Sequence, residues 1–164
     1  RENNFNPANV RGSYAGALGK PQFISSSYRN YAIDFDGDNY ADLWNSNADV
    51  IGSVANYLKK NGWNKGGMIL TDLTTDNNEK VLDRFSKMTY KPHTLYKDYQ
   101  SKNITASRPI AVDEKLSVIK RIEGKNTVYS FGHNNFYTIT RYNRSRLYAL
   151  AVFTLAQEIK LASQ

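Results

Sequence analysis

From Ala48 to Lys60 the apolar residues Val50, Ile51, Val54, Tyr57 and Leu58 recur at i, i+1, i+4, i+7 and i+8, one face of a helix. Asn47 can cap its start and Gly62 can end it. Upstream, the chain is polar and punctuated by Gly12, Gly16 and Gly19, and "SSSYRNYA" is a shorter helical candidate. From Gly66 to about Tyr137 the helical period gives way to short strand-like runs, "MILTDL", "KLSVIKRI" and "NTVYSF", with a helix-like stretch near Leu95 to Gln100. The last two runs flank "EGKN", which predicts a hairpin. Ser145 can cap a final helix in which Leu147, Tyr148, Leu150, Ala151, Val152, Phe153, Leu155 and Ile159 are apolar nearly all round. That pattern predicts a helix at the centre of a core. The order of elements predicts an α+β chain, mainly α, in which a small antiparallel β lobe interrupts a helical core. Residues 1–65 form the first part of that core, 66–137 the inserted lobe and 138–164 the C-terminal core helices.

The 164 residues suit one domain, or one core with an inserted lobe. A net charge of +7 favours a polyanionic partner such as nucleic acid, anionic lipid or an acidic wall polymer. The basic residues are scattered, however, with doublets only at Lys59-Lys60 and Lys120-Arg121, and no nucleic-acid motif is present, so a nucleic-acid partner is not expected. Cysteine is absent, which excludes disulfides and thiolate metal sites. No stretch approaches the roughly 18 apolar residues of a membrane span. The chain starts at Arg1 without methionine or a signal-like segment, and the expectation is a processed or cut piece.

Against this basic background, Asp34, Asp36, Asp38 and Asp42 crowd into nine positions between the two helical candidates. Counted from Asp34 they fall at positions 1, 3, 5 and 9, and Tyr40 at position 7 can offer its backbone carbonyl. This is the oxygen-ligand rhythm of an EF-hand-like calcium loop. Asn39 stands at the sixth position, where the turn needs a positive φ that asparagine tolerates. The usual glutamate at position 12 is replaced by Asn45, and Asp49, in the first turn of the next helix, can close the site if the loop is longer than standard. The competing interpretation is a solvated acidic turn held by local Asp and Asn hydrogen bonds.

Two other stretches carry candidate chemistry. In "GSYAGALGKPQF", closely spaced glycines let backbone approach a ligand or a neighbouring helix, and Ser13, Gln22 and Phe23 offer hydrogen bonds and a stacking face. Taken alone it is as readily a packing turn, and no phosphate-loop pattern is present. In "NNFYTITRYNRSRLYALAVF", Tyr137, Tyr142 and Tyr148 with Asn143 combine flat apolar faces with polar tips, suited to sugar rings or to a tyrosine-rich core. His93 and His133 are far apart and have no acidic companion nearby in sequence, so both are expected as surface or loop residues.

In this order, "GSYAGALGKPQF" with "SSSY", "DFDGDNYADLW", "ADVIGSVANYLKKNGW" and "NFYTITRYNRSRLYALAV" resemble the membrane-bound lytic murein transglycosylase B family. The resemblance implies a lysozyme-like helical core and cleavage of bacterial peptidoglycan between N-acetylmuramic acid and N-acetylglucosamine, forming a 1,6-anhydro ring. It implies substrate-binding roles for Ser13, Gln22, Phe23, Tyr57, Tyr142, Asn143 and Tyr148. It also implies a structural Ca²⁺ on Asp34, Asp36, Asp38, the Tyr40 carbonyl and Asp49. Peptidoglycan glycan strands would be the partner of a monomer in the bacterial periplasm or at the outer membrane, with any lipid anchor outside this chain.

There are two departures from the family pattern. Ser25 stands where many relatives have proline. The family's catalytic glutamate belongs to a segment ahead of the "GSYAGA" motif, whereas Glu2 is the only acid before Ser13 and matches the helix leading into that motif. The general acid is therefore expected before Arg1, and the chain as given is expected to be inactive. The alternative is a calcium-stabilised peptidoglycan-binding module without catalysis.

Overall fold

In the computed structural model, which describes residues 12–74 and 79–164, the two helical candidates flanking the aspartates are both helices. Helix α1 spans Ser25–Tyr31 and α2 spans Asn47–Lys60. Ser46, not Asn47, caps α2: its hydroxyl accepts the Asp49 N–H at 3.2 Å. Asn47 instead accepts from the Lys20 ammonium at 2.7 Å. Gly62 follows the C-cap with φ 97, the left-handed value that ends a helix cheaply only at glycine. Glu2 lies outside the described residues.

Both helices belong to a unit of residues Arg1–Asn61, and Gly62–Gln164 form a second unit. Within the first, the fully buried positions of α2 lie off the apolar stripe, of which Val50, Val54, Tyr57 and Leu58 are half-buried. Asp49, Gly52 and Ser53 are buried, whereas Ile51 is 68% exposed. The reason is a polar ladder at helical spacing. Asp49 accepts backbone N–H groups from the loop, Ser53 Oγ accepts the Ile33 N–H at 2.9 Å, Asn56 Nδ2 donates to the Tyr31 carbonyl at 2.9 Å, and Lys60 Nζ donates to the Asn30 carbonyl at 3.1 Å. Four positions on one helix face thus take up backbone groups of residues 30–36. Gly52 lets Phe35 close over that face, since a Cβ there would meet the ring at 2.7 Å.

The second unit runs β1 (Leu70–Asp72), α3 (Glu79–Ser86), β2 (Thr94–Leu95), α4 (Tyr96–Gln100), β3 (Lys115–Glu123), β4 (Asn126–Gly132), α5 (Asn134–Tyr142) and α6 (Arg146–Ala162). The strands form one antiparallel sheet in the order β1-β4-β3-β2. The predicted hairpin is β3–β4, turning at Gly124 and Lys125 with φ 61 at the glycine. Side chains of β3 alternate between faces. Leu116 and Val118 join Leu82, Tyr96, Tyr99, Ile104, Tyr129 and Phe131 in one cluster, while Ile119 joins Phe136, Ile139 and Ala149 in another. The expected lobe, 66–137, and the expected C-terminal helices, 138–164, both fall within this unit.

Helices α3 and α5 are not among the elements anticipated above, although Val81, Leu82 and Phe85 of α3 recur at helical spacing. In α5 the consecutive β-branched Thr138, Ile139 and Thr140 weaken helix propensity, and burial of all three overrides it. The expectation for α6 needs correction. Ser145 caps it as predicted, accepting the Tyr148 N–H at 3.2 Å, but Ala149 is its only buried residue. Leu147, Leu155, Ile159 and Leu161 are exposed. Its first turns pack on the second cluster through Tyr148 and Leu150, and the described residues do not cover the rest. An all-round apolar pattern reports which surface is greasy, not what lies against it. No helix among the described residues is long and apolar enough to cross a membrane.

Gly132, the last residue of β4, is the tightest point of the sheet: a Cβ there would lie 2.7 Å from Ile119 Cγ1 and Ser117 Oγ. Gly132→Ala should destabilise the second unit by about 1–3 kcal/mol, as overpacked cores do. Urea unfolding followed by intrinsic fluorescence should show an earlier midpoint, and an unchanged midpoint would contradict this packing.

Candidate functional site

The acidic loop converges on one point. Carboxylate oxygens of Asp34, Asp36, Asp38 and Asp49 all lie within 4.8 Å of one another. Oxygens on opposite sides of a calcium ion, each about 2.4 Å from it, are separated by about 5 Å, so the group has the right span. The backbone sets this geometry. Asp34 Oδ1 accepts the Gly37 and Asp38 N–H groups at 2.6 and 3.2 Å, and its Oδ2 accepts the Asn39 N–H at 2.8 Å. Asp38 Oδ1 accepts the Tyr40 N–H at 2.9 Å. Asn39 has φ 70, the positive value anticipated at the sixth loop position.

Asp49 is fully buried, at 0% exposure. Its Oδ1 accepts from the Phe35 and Asp36 N–H groups at 2.7 and 3.3 Å, and its Oδ2 from the Asp42 N–H at 2.8 Å. Asp36 in turn accepts the Ser46 hydroxyl at 2.6 Å. No lysine or arginine among the described residues forms an ion pair with these four carboxylates. Four formal negative charges on one point, oriented by N–H donors, are a donor set for a hard divalent cation.

Asp42, the other acid in the loop, does different work. Its Oδ1 accepts the Trp44 and Asn45 N–H groups at 2.8 and 2.9 Å and its Oδ2 the Asn45 amide at 2.9 Å. Burial opposes its ionisation, but those donors and the Lys20 charge win and hold its carboxyl below the ordinary 3.8.

The glycine-rich stretch forms tight bridges, Gly12 with Leu18 and Leu18 with Phe23. Ser13 Oγ accepts the Ala17 N–H at 3.1 Å, and Gln22, at φ 55, donates its side-chain amide to the Gly19 carbonyl at 2.9 Å. Both side chains are exposed. Gly19 lies against Leu43, where a Cβ would meet the carbonyl at 2.6 Å, so the turn is anchored to the end of the acidic loop. Phe23 differs from the expectation of a stacking face. It is 2% exposed, its ring packed against Tyr31 and Tyr57 at centroid distances of 6.5 and 5.9 Å. A ring so covered supports its neighbours, and the half-buried Tyr57 is the more accessible ring of this pair.

In the second unit, Tyr142 ends α5 and Tyr148 lies in the first turn of α6. Their rings are parallel within 5° at a centroid distance of 6.3 Å, and Asn143 between the helices is exposed. Burial raises the Tyr148 phenol above its ordinary 10.0. The expectation for His133 is overturned. It is 2% exposed, its Nδ1 is 2.7 Å from Glu114 Oε1 and its Nε2 2.8 Å from Thr71 Oγ1. The acidic companion exists but stands nineteen positions earlier, brought in by the fold. The next two residues tie down the loop from Gly62: Asn134 Nδ2 donates to the Gly62 carbonyl at 2.6 Å, and the Asn135 amide accepts the Asn64 N–H at 2.7 Å.

A family model described as the transglycosylase SLT domain matches residues 1–157. The chain belongs to this transglycosylase family. The membrane-bound lytic murein transglycosylase B of Escherichia coli (strain K12) is 39% identical over 162 residues, 99% of this chain and 43% of its own length. The catenated lytic transglycosylase SltB1 from Pseudomonas aeruginosa superposes with a TM-score of 0.92 at 37% identity, over 100% of this chain and 53% of that one. Escherichia coli Slt35, solved in complex with calcium, gives 0.85 at 36% identity, over 99% and 50% of the two chains. The SLT chain thus has the lysozyme-like fold of lytic transglycosylases and spans about half the length of these relatives.

One SLT-domain tyrosine links the acidic loop to pH. Tyr28 donates its hydroxyl to the Ala41 carbonyl at 2.8 Å; burial, then Tyr40, Asp42 and Asp49, push its phenol from 10.0 up to about 12. The folded chain favours the neutral phenol, so this stability is whole below pH 10 and is lost as pH rises through 12. Thermal midpoints should stay level to about pH 10 and then fall. Tyr28→Phe should lower the plateau, by about 0.5–1.5 kcal/mol for the lost hydrogen bond, and make the alkaline decline shallower. An equally steep decline in the variant would refute the assignment.

Proposed function

We propose that the protein carrying this SLT domain is a lytic transglycosylase of bacterial peptidoglycan. It would cleave the β-1,4 bond between N-acetylmuramic acid and N-acetylglucosamine and leave 1,6-anhydromuramic acid. The observation that carries this is the family match over residues 1–157, supported by exposed Ser13, Gln22 and Asn143 and half-buried Tyr57, Tyr142 and Tyr148 at the positions the motifs single out. Ser13, Gln22 and Tyr57 on the first unit would hydrogen-bond and contact the glycan, with Phe23 holding Tyr57 in place. Tyr142, Asn143 and Tyr148 on the second unit would present flat faces and an amide to sugar rings. Periplasmic or outer-membrane placement and action as a monomer follow from the same reading.

Ordinary glycosidases use two carboxylates. The chemistry proposed here uses one acid, which protonates the glycosidic oxygen and then, as base, takes the proton of the muramic acid 6-hydroxyl. That oxygen attacks the anomeric carbon while the sugar's N-acetyl group stabilises the developing positive charge, and no water is consumed. In the first unit every acidic side chain among the described residues belongs to the loop: Asp34, Asp36, Asp38, Asp42 and Asp49. The general acid is proposed to come from the segment that the family resemblance places ahead of the "GSYAGA" motif. The same observation favours the second reading, a calcium-stabilised glycan-binding module without catalysis.

Digestion of purified peptidoglycan, analysed by mass spectrometry, tests both. This chain alone should bind the glycan without releasing product, and a longer form carrying the preceding segment should release anhydro products, lighter by one water than hydrolytic ones. Hydrolytic products would overturn the transglycosylase reading, and binding without any product from the longer form would favour the module. Tyr148→Ala should weaken glycan binding about three- to tenfold, the scale of one aromatic contact.

Calcium is proposed on Asp34, Asp36, Asp38, the Tyr40 carbonyl and Asp49. Here its part is structural: it would neutralise the converging carboxylates and lock the loop between α1 and α2. Modules of this type bind at about 10⁻⁴–10⁻³ M, and about 100 times the dissociation constant adds roughly 2.7 kcal/mol by linkage. Melting with calcium against melting with chelator should then differ by roughly 5–10 °C. Asp49→Asn should abolish the difference, and identical curves for the unsubstituted chain would remove calcium from the account.

A further inference from the structure

The second unit has a cavity of about 370 Å³ that the reading above does not use. It is within the roughly 300–1,000 Å³ range of ligand pockets. It opens where a strand pairing stops. On one side β1 is paired with β4, and His133 N–H donates to the Ile69 carbonyl at 3.1 Å. On its other side a short segment pairs antiparallel with the chain leaving β1: Leu73 bridges Ala106, Ser107 N–H donates to the Asp72 carbonyl at 2.8 Å, and Thr74 N–H to the Thr105 carbonyl at 3.0 Å. Backbone groups alternate sides along a strand, so Leu70, two residues before Asp72, turns its N–H and C=O to that same side. The segment does not continue to meet them. It bends away at Ser107 and Arg108, and Pro109, where the register would next require an N–H, has none.

The cavity fills this gap, lined by Leu70, Thr71, Asp72, Ser107 and Arg108, with Phe153 and Gln157 of α6 beside them. Its charges are unequal in their freedom. Arg121 is committed: it pairs with Asp72 and with Glu123, and its Nε donates to Ser130 Oγ at 2.9 Å. Arg108 is exposed and forms no ion pair with the described residues. The site therefore offers a strand-edge donor and acceptor at Leu70, an unspent guanidinium, and an apolar wall from Met68, Ile69 and Phe153.

We infer that this cavity binds a short extended peptide bearing a carboxylate, which adds to the edge of β1 at Leu70 and places its carboxylate on Arg108. Strand addition supplies main-chain hydrogen bonds, and the guanidinium supplies direction. Resting on the peptidoglycan reading, the occupant is the stem peptide that the glycan carries. The domain would then recognise peptide as well as sugar, with the peptide held by the second unit's sheet.

The test is an amide-resolved NMR titration of the chain with the stem tetrapeptide released from purified peptidoglycan by an amidase. Shifts should concentrate at Leu70, Thr71 and Arg108. Arg108→Ala should weaken binding at least tenfold and Arg108→Lys by less, while Lys125→Ala, which removes an exposed charge at the β3–β4 turn, should leave it unchanged. Tetrapeptide with its carboxylates converted to amides should lose as much affinity for the unsubstituted chain and no more for Arg108→Ala. Amide spectra of each variant show whether it is folded. Equal binding of the amidated peptide, equal binding by Arg108→Ala, or shifts confined to other residues would overturn the inference. Peptide-free glycan strands, titrated separately, distinguish the two readings: glycan binding without peptide binding overturns this site and leaves the function intact, whereas peptide binding without glycan binding supports the site and removes the function.

Discussion

The first unit depends on the Asp49 carboxylate. A buried charge is expensive unless it is hydrogen-bonded, and this one collects N–H groups from Phe35, Asp36 and Asp42 at 2.7, 3.3 and 2.8 Å. It also lies in the first turn of α2, where the helix dipole favours negative charge. Those bonds pull both ends of the loop onto one helix, and the loop can then only fold with Asp34, Asp36 and Asp38 facing Asp49. The same residue builds the loop's scaffold and supplies one of its four converging carboxylates. The rest of the ladder, Ser53, Asn56 and Lys60, carries the constraint along α2 to the end of α1.

The second unit is organised by a different force. Its sheet is closed by apolar clusters on both faces, with Phe131 and Tyr99 in one and Phe136 in the other. Three polar residues at its heart are paired: Glu114 with His133, His133 with Thr71, and Asn135 with Asn64 and Gly67. These pairs tether the start of α5 to the loop ahead of β1. Since α5 delivers Tyr142 and the first turn of α6 delivers Tyr148, the buried polar residues fix where these half-buried rings stand.

The proposed transglycosylase function would give each kind of organisation a use. As proposed, cleavage through a single acid would need the sugar held firmly while one group acts twice, and general acid–base catalysis is only as good as that positioning. Constrained loops and buried anchors are what each unit would contribute to it. Of the proposed glycan-contacting residues, Ser13, Gln22 and Asn143 are exposed and Tyr142 is half-buried, and each is backed by a constrained turn or helix end.

The sequence alone determined features that depend on near neighbours. The alternating aspartates and the positive φ of Asn39, the β3–β4 hairpin at Gly124, the Ser145 cap and the end of α2 at Gly62 all follow from residue type within a few positions. The ordered motifs were enough to name the family. Tertiary structure decided what depends on contact between distant residues. Spacing marked an apolar face on α2, which is half-buried at Val50, Val54, Tyr57 and Leu58, yet the fully buried positions are Asp49, Gly52 and Ser53, where backbone groups of the preceding loop found partners. Phe23 had the composition of a stacking ring, but Tyr31 and Tyr57 enclose it. His133 looked isolated because Glu114 and Thr71 are distant in the chain, and α6 looked central because periodicity records apolar surface without recording its cover. Local preferences act through the backbone of a few residues, whereas burial and pairing are properties of the packed chain, and no window of sequence contains them.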